Sequence, residues 1–222
     1  MEIKLIAIDL DGTLLNSKKQ ITADVAETIR EVREKRNPLI VLSTARPPRS
    51  TIPYYKQLDL SGPMINYNGA LMWDPISGKV WFHKPIPFNI ATGLLKWAKQ
   101  KYPRQVYVSA NIGDRWYTDF KNSSENFEAA NLYQPDMIAS YTKWLTQPPT
   151  KLMLLGVPSA LDGITKAIKQ DLAEHISLYR ANPKMLQIMH ASASKRDALK
   201  RLTHHLNIPR DKTMAIGDNV ND

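Results

Sequence analysis

Short apolar segments that alternate with segments of helical periodicity constrain the fold of this chain most. The chain opens with three nearly continuous apolar runs, LIAIDL at 5–10, LIVLST at 39–44 and MINY at 64–67. Such runs are typical of strands buried on both faces of a sheet. Residues 22–36, between the first two runs, place apolar residues on one helical side and charges on the other. The order strand, helix, strand, helix, strand predicts right-handed crossovers and a parallel sheet.

The pattern of predicted elements changes after the third strand. Residues 70–83 predict a hairpin, because two β-prone segments flank a turn at 74–78. The next segment predicts an α+β set of its own: a helix at 89–101, strand pairs at 105–120, a strand at 151–157, a helix at 160–175 with Ser159 as N-cap, and a hairpin that turns at Asn182-Pro183.

The C-terminal segment returns to the opening pattern. It predicts a helix at 194–207 and then another buried strand at 213–218. We therefore expect a core domain that is split in sequence, formed by residues 1–84 and 185–222. This core would enclose an inserted domain of residues 85–184.

Composition and charge narrow the classes of function. Hydrophobic residues make up 43% of the chain, as expected of a globular protein with a core. The absence of cysteine excludes disulfides and zinc–thiolate sites. A net charge of +9 is compatible with nucleic acid, an anionic membrane or small phosphorylated substrates as partners. Because the positive charges are spread along the chain, we do not expect a nucleic-acid partner.

The sequence also argues against a membrane partner. No window reaches the roughly 18 apolar residues that a membrane helix needs. The apolar run at the N-terminus is interrupted by Asp9 and Asp11 and lacks a small-residue cleavage site, so it does not resemble a signal peptide. We expect a cytoplasmic protein, and the sequence gives no indication of its oligomeric state.

Polar residues follow four of the predicted strands, at the ends where active sites form in open parallel sheets. The four segments are DLDGT at 9–13, STAR at 43–46, NYNG at 66–69 and GDNVND at 217–222. In addition, Lys195 lies near the start of the helix that precedes the fourth of these strands. We therefore expect these groups to meet at one edge of the sheet.

These residue types suit phosphoryl transfer. Carboxylates from two separate strand ends make a hard oxygen site of the kind that Mg²⁺ prefers, and Mg²⁺ and a lysine ammonium both neutralise a phosphoryl group. One carboxylate can attack phosphorus to give an aspartyl-phosphate. A second carboxylate two residues on points the same way along an extended chain and can act as general acid and base. A hydroxyl such as that of Thr44 can hold phosphate oxygens together with main-chain amides.

The four motifs DLDGT, STAR, a lysine that opens a helix, and GDNVND, in this order, resemble those of the haloacid dehalogenase-like phosphatases. The INYNGA segment at 65–70 and the large insert are similar to the Cof-type branch, which resembles sugar-phosphate phosphatases with a large cap. The resemblance covers essentially the whole chain. It implies an α/β fold, with a doubly wound parallel-sheet (Rossmann-like) core and an inserted α+β cap domain. It also implies a Mg²⁺-dependent phosphatase that acts on a small phosphorylated metabolite.

The resemblance implies a role for each motif residue. Asp9 would be the nucleophile and a metal ligand, and Asp11 would be the general acid and base, with its main-chain carbonyl on the metal. Asp218 would be a further metal ligand, and Asp222 would lie close to the ion, bound through water or just beyond it. Lys195 would neutralise both Asp9 and the phosphoryl group. Thr44, Asn221 and the main-chain amides of Leu10 and Ala45 would also hold the phosphoryl group. Arg46 and Asn68 would lie at the edge that faces the substrate.

Three features depart from the usual pattern of this family. Ala45 stands where glycine is common, and we expect little change because alanine is small. Arg196 follows Lys195 where glycine is common, which adds a charge at the site entrance. The chain stops at Asp222, whereas the family pattern continues through a further strand and a closing helix, so we expect a truncated core.

Two alternatives to a phosphatase stay open from the sequence. A phosphotransferase or phosphomutase would keep Asp9 as the nucleophile but deliver the phosphoryl group to a sugar hydroxyl. A non-catalytic protein that binds a phosphorylated ligand is the expectation if the protein truly ends at Asp222.

Overall fold

The computed structural model describes residues 2–120 and 134–219. The chain divides into two compact units, one formed by the chain up to His83 and from Ala193 onward, the other by Lys84–Ser192. We call them the core unit and the inserted unit. The sequence analysis placed the second boundary at 184/185, but the strand Met185–His190 pairs with two strands of the inserted unit and therefore lies within it.

The elements, in chain order, alternate strands with helices at both ends of the chain. Those before Lys84 are β1 (Leu5–Ile8), α1 (Ala23–Arg36), β2 (Leu39–Leu42), α2 (Pro48–Gln57), β3 (Met64–Asn66), β4 (Leu71–Trp73) and β5 (Val80–His83). Those of the inserted unit are α3 (Phe88–Lys101), β6 (Val106–Ile112), β7 (Arg115–Thr118), β8 (Met137–Ile138), α4 (Tyr141–Trp144), β9 (Lys151–Gly156), α5 (Pro158–Asp171), β10 (Ile176–Asn182) and β11 (Met185–His190). The last two are α6 (Lys195–His205) and β12 (Thr213–Ile216).

A parallel sheet with the strand order β12-β1-β2 forms the centre of the core unit. β3 continues it beside β2, because Ser43 forms a parallel bridge with Ile65 and the Thr44 N–H donates to the Ile65 carbonyl at 2.9 Å. β3 also begins an antiparallel set, β3-β4-β5, which contains the predicted hairpin. The carboxyl ends of β1, β2 and β12 therefore lie at one edge of the parallel sheet. The predicted α/β fold class with a parallel sheet is confirmed.

The turn after α1 shows why β2 begins where it does. α1 buries Ile29 and exposes most of its charged residues. Asn37 adopts a left-handed conformation with φ 47°, and its N–H donates to the Arg33 carbonyl at 2.8 Å. Asparagine tolerates this conformation and Pro38 cannot continue the helix, so the chain leaves α1 and enters the sheet.

β12 is less buried than the sequence predicts. Met214 and Ile216 are 42% and 43% exposed. Within the described residues, this strand pairs with β1 and lies at an edge of the sheet. The apolar run thus predicted the strand correctly but was wrong about its burial, because burial depends on what packs against both faces.

The inserted unit is built on a six-stranded sheet in the order β10-β11-β9-β6-β7-β8. Its pairs are antiparallel except for β7 with β8. Side chains of α3 and α5 pack with those of the sheet in one core, whose fully buried members include Leu95, Leu152, Leu154, Leu161 and Ile164. This confirms the predicted α+β insertion.

The start of α5 differs from the prediction by two residues. Pro158 takes the first helical position and Val157 is the N-cap, so Ser159 lies inside the helix. Proline favours this position because its φ is fixed near the helical value and it has no N–H to leave unpaired. None of the helices in the described ranges is long and apolar enough to cross a membrane.

Candidate active site

Asp9 and Lys195 form a buried ion pair at the carboxyl end of β1. Asp9 follows the last residue of the strand, and its N–H donates to the Ile216 carbonyl of β12 at 3.0 Å. Lys195 is the first residue of α6, and its Nζ donates to Asp9 Oδ1 at 2.7 Å. Both side chains are more than nine-tenths buried. Two residues 186 positions apart in sequence are thus brought into direct contact, as the motif pattern anticipated.

The turn after β3 positions the start of α6. Gly69 has φ +92°, and a Cβ at this position would lie 2.2 Å from the Ser194 carbonyl oxygen. Only glycine allows this approach, because the neighbour is main chain and cannot move aside. Ser194 then caps α6 by accepting a hydrogen bond from the Asp197 N–H at 3.2 Å. These two contacts fix the helix start that presents Lys195 to Asp9.

The loop after β2 holds Thr44 in a buried position beside this turn. Thr44 is almost fully buried, and its Oγ1 accepts a hydrogen bond from the Arg46 N–H at 3.2 Å. The Asn68 N–H donates to the Thr44 carbonyl at 3.0 Å, and Asn68 itself adopts φ 51°. Ala45 lies between these anchored residues, and main-chain hydrogen bonds thus join the STAR segment to the NYNG segment.

Asp218 lies against the loop that carries Asp9 and Asp11. A Cβ at Gly12, which has φ +82°, would lie 2.4 Å from Asp218 Oδ2. Thr13 Oγ1 donates a hydrogen bond to Asp218 Oδ1 at 3.1 Å. Glycine at position 12 therefore leaves the space that the Asp218 carboxylate occupies.

The carboxylates of Asp9 and Asp218 fit a divalent cation by their chemistry. They follow two hydrogen-bonded neighbouring strands, β1 and β12, and offer the hard oxygen donors that Mg²⁺ prefers. Within residues 2–120 and 134–219, no three side chains of His, Cys, Asp or Glu come close enough to hold a metal. Two carboxylates alone do not complete the coordination of Mg²⁺, so a site here would need further oxygen donors. The predicted contributors Asn221 and Asp222 lie outside the described residues.

Asp11 is held by two cations. The Arg46 guanidinium donates to both oxygens of the Asp11 carboxylate at 2.6 Å each, and Lys19 Nζ donates to Oδ1 at 2.9 Å. Burial raises the pKa of the Asp11 carboxyl, but the hydrogen bonds from Arg46 and Lys19 outweigh burial and lower this pKa from 3.8 to about 2. In this arrangement Asp11 is ionised and has no proton to donate.

Lys19 and Tyr54 are contacts of this site that the sequence analysis missed. The Tyr54 hydroxyl donates to the Lys19 carbonyl at 2.8 Å, and its ring lies 5.5 Å from the Arg46 guanidinium carbon. Arg46, which the resemblance placed at the edge that faces the substrate, is thus engaged with Asp11 and Tyr54. The only sequence signal for Lys19 is its positive charge in the loop that follows the acidic motif, and charge alone does not select it.

Comparisons with known proteins identify the family of this chain. The sequence model of the haloacid dehalogenase-like hydrolase family matches residues 6–222. The phosphatase YwpJ of Bacillus subtilis is 28% identical over 99% of this chain and 85% of its own length. The 5-amino-6-(5-phospho-D-ribitylamino)uracil phosphatase YitU of the same organism is 27% identical over 100% of this chain and 83% of its own length.

A solved structure supports the fold. The crystal structure of a haloacid dehalogenase-like hydrolase from Bacteroides thetaiotaomicron has a TM-score of 0.87 and 24% identity, and the match covers 100% of this chain and 84% of that one. The family match extends through all four motifs and both units. The chain therefore belongs to the haloacid dehalogenase-like hydrolase family and is a phosphatase of its Cof-type branch.

Proposed function

We propose that this phosphatase hydrolyses a small phosphomonoester with the help of Mg²⁺ through an aspartyl-phosphate on Asp9. The observation that carries the proposal is the buried ion pair in which Lys195 Nζ lies 2.7 Å from Asp9 Oδ1. A lysine ammonium at this distance keeps a buried carboxylate ionised and also attracts a phosphoryl group. Asp9 is thus prepared to act as a nucleophile where an anionic substrate binds.

The reaction has two displacements at phosphorus. In the first, an Asp9 oxygen forms a bond to phosphorus and the bond to the leaving oxygen breaks, with a proton delivered to that oxygen. In the second, a water oxygen attacks phosphorus, its proton is removed, and the bond to Asp9 breaks. Asp11 lies two residues on and serves both proton transfers. Its contacts with Arg46 and Lys19 must open first, because the paired carboxylate carries no proton.

The remaining motif residues hold the ion and the transferring group. Asp9, Asp218 and the Asp11 carbonyl would bind Mg²⁺, which neutralises charge on the phosphoryl group, with Asp222 close by. The phosphoryl oxygens would be held by Lys195, Asn221, the Thr44 hydroxyl and the main-chain N–H groups of Leu10 and Ala45. The burial of Thr44 supports this role, since a buried hydroxyl keeps its position and excludes water.

The substrate class is a small phosphorylated metabolite. YitU acts, by its name, on a phosphorylated ribityl compound, and a net charge of +9 favours anionic ligands. We place the choice among such substrates in the inserted unit, acting as a cap, because most motif residues on the core unit would contact the phosphoryl group or the metal ion.

Phosphate release from a panel of aryl, sugar and nucleoside phosphates, with Mg²⁺ or with EDTA, tests the proposal. We expect Mg²⁺-dependent release and a loss of at least about 10⁴-fold in Asp9→Asn, because an amide is a very poor nucleophile toward phosphorus. The matched control is Asp59→Asn, at an exposed position with φ 48° that asparagine tolerates. Full activity in Asp9→Asn would contradict the proposal, and a strict need for a sugar acceptor would favour a phosphotransferase.

The Asp11→Asn variant should affect the two displacements at phosphorus differently. An aryl phosphate needs little protonation of its leaving oxygen, so its first displacement should continue, while hydrolysis lacks its base and slows by about 10²–10⁴-fold. Mass spectrometry of the acid-quenched protein should then show the phosphorylated Asp9 peptide. Equal loss of activity on aryl and alkyl phosphates without a trapped phosphoprotein would exclude Asp11 as the acid and base.

A further inference from the structure

A second concave site lies on the core unit, away from Asp9. It is a groove of about 530 Å³ between the β4–β5 hairpin and the C-terminal half of α6. This volume lies within the range of about 300–1,000 Å³ that is usual for small-ligand sites. We call it the basic groove, and the lining residues that matter are Lys79, Trp81, Phe82, Lys200, Arg201 and His205.

A β-bulge places two consecutive aromatic residues in the groove. Met72 pairs with Phe82 and Trp73 pairs with Val80, which leaves Trp81 as an extra residue on β5. In a regular strand, neighbouring side chains point to opposite faces. A bulge re-aims one of them, and Trp81 and Phe82 accordingly both line the same groove.

The groove gathers positive charge that no described acidic residue neutralises. Three lining residues are Lys or Arg, and no lining residue is acidic. In the described parts of the chain, no carboxylate forms an ion pair with Lys79, Lys200 or Arg201. Aromatic rings hold two of these cations. The Arg201 guanidinium carbon lies 4.8 Å from the Phe82 ring centre, and Lys79 Nζ lies 5.0 Å from that of Trp81.

Trp81 also has an unused hydrogen-bond donor. Its Nε1 is buried and has no acceptor within the described residues. Buried polar atoms without a partner are rare in folded proteins, and each calls for a physical explanation. The His205 ring packs edge-on against Trp81 with 4.8 Å between ring centres, so the indole is fixed by aromatic contacts rather than by a hydrogen bond.

We propose that the basic groove binds a nucleotide, with its phosphates on Lys79, Lys200 and Arg201 and its base against the Trp81 side. A single nucleotide fits better than a nucleic-acid strand, because the cations converge on one groove, whereas a strand needs a charged track along several nucleotides. The site is separate from the active site. None of the residues that line the groove lines the pocket that contains Asp9 and Lys195.

Titration calorimetry with ADP tests the proposal, in an Asp9→Asn background that prevents hydrolysis. Lys200→Gln combined with Arg201→Gln should weaken ADP binding by about tenfold or more, since each removes a charged hydrogen-bond donor. The matched control is Lys166→Gln with Lys169→Gln on α5, which removes the same charge elsewhere and should change the affinity less than twofold. Pyrophosphate and adenosine should each bind more weakly than ADP, because each offers half of the contacts.

A second variant, Lys79→Gln, changes the hairpin side of the groove and leaves α6 intact. It should weaken ADP binding severalfold even if the substitutions in α6 disturb folding. Equal ADP affinity in the groove variants and the control would overturn the proposal and assign the nucleotide to another site. Absence of ADP binding at millimolar concentration, or tighter groove-dependent binding of an oligothymidine than of ADP, would overturn it as well. The outcome does not depend on the proposed phosphatase mechanism, because only binding is measured.

Discussion

Two buried lysines, one in each unit, show how different the surroundings of the same side chain are. Lys195 in the core unit and Lys151 in the inserted unit are each 6% exposed. Lys195 donates to Asp9 at 2.7 Å. No carboxylate among the described residues pairs with Lys151, and burial lowers its pKa from 10.5 to about 8.

The difference comes from where each lysine lies in its fold. Lys195 begins a helix whose start is aimed at a strand end, the place where parallel sheets collect polar groups. Lys151 lies within the antiparallel sheet, opposite Asn111 on β6 and surrounded by paired main chain. Burial alone therefore does not identify a catalytic lysine, and the contact with Asp9 at a strand end is what makes Lys195 a candidate.

Among changes to these buried or paired cations, the largest expected effect comes from replacing Lys195. Lys195→Met should reduce the turnover of an aryl phosphate by about 10²–10³-fold, because it removes the positive charge beside the nucleophile and the phosphoryl group. Steady-state kinetics with saturating Mg²⁺ measures this loss. Lys35→Met, at an exposed position on α1, is the control and should keep full activity. A loss below fivefold in Lys195→Met would show that the ion pair is structural.

Replacing Lys151 should change stability rather than activity, and we expect the variant to be more stable than the parent. Lys151→Met deletes a buried ammonium while keeping most of the side-chain volume. Because the pKa of Lys151 falls from 10.5 to about 8, its burial costs up to about 3 kcal/mol at pH 7. Urea unfolding should therefore show a variant that is about 2–3 kcal/mol more stable than the parent.

The pH dependence of the stability difference between the parent and Lys151→Met provides the control for this prediction. Between about pH 8 and pH 10.5 the unfolded chain binds a proton at Lys151 that the folded chain has released, so the parent's free energy of unfolding rises with pH through this group. The difference between parent and variant should shrink over this window and vanish above it. A variant that is less stable than the parent at pH 7 would contradict the prediction that the buried ammonium destabilises the fold.

The strands and helices near the N-terminus were predictable because their patterns are local. The apolar runs gave β1 and β2 to within two residues, and the stop at Asn37-Pro38 ended α1 where the structure does. The burial of β12 was not predictable in this way. It depends on neighbours in space, and an apolar composition does not reveal them.

The contacts of the candidate site likewise include some that the sequence predicts and some that depend on packing in space. The order of the four motifs was enough to anticipate that Asp9 and Lys195 meet, although 186 positions separate them. The contacts of Lys19 and Tyr54 around Asp11 depend on how the loop after β1 packs against α2, and no spacing rule describes them. The bulge at Trp81 was not predictable either, because one extra residue in so short a hairpin cannot be recognised from the alternation of apolar and polar residues.

A second ion pair, between Arg46 and Asp11, extends the comparison to a half-exposed site and gives the smallest expected effect. The Asp11 side chain is 40% exposed, so water screens its attraction to Arg46 and the pair should stabilise the fold by about 1 kcal/mol or less. The pKa of Asp11 is lowered from 3.8 to about 2, so this stabilisation is complete above about pH 4 and disappears as the pH falls toward 2. Arg46→Gln should therefore lose most at pH 6 and nearly nothing at pH 2.

Urea unfolding at several pH values in EDTA, with Arg30→Gln as the control on the exposed Arg30–Glu27 pair, measures this effect. The control should leave the free energy of unfolding nearly unchanged at every pH, since i,i+3 pairs on an exposed helix face contribute little. A loss in Arg46→Gln that stays the same from pH 6 to pH 2 would mean that Arg46 stabilises the loop through Tyr54 rather than through Asp11. Measurements between pH 6 and pH 2 thus separate the effect of charge from the effect of packing at Arg46, as measurements between about pH 8 and pH 10.5 do at Lys151. At both residues the free energy of unfolding rises with pH.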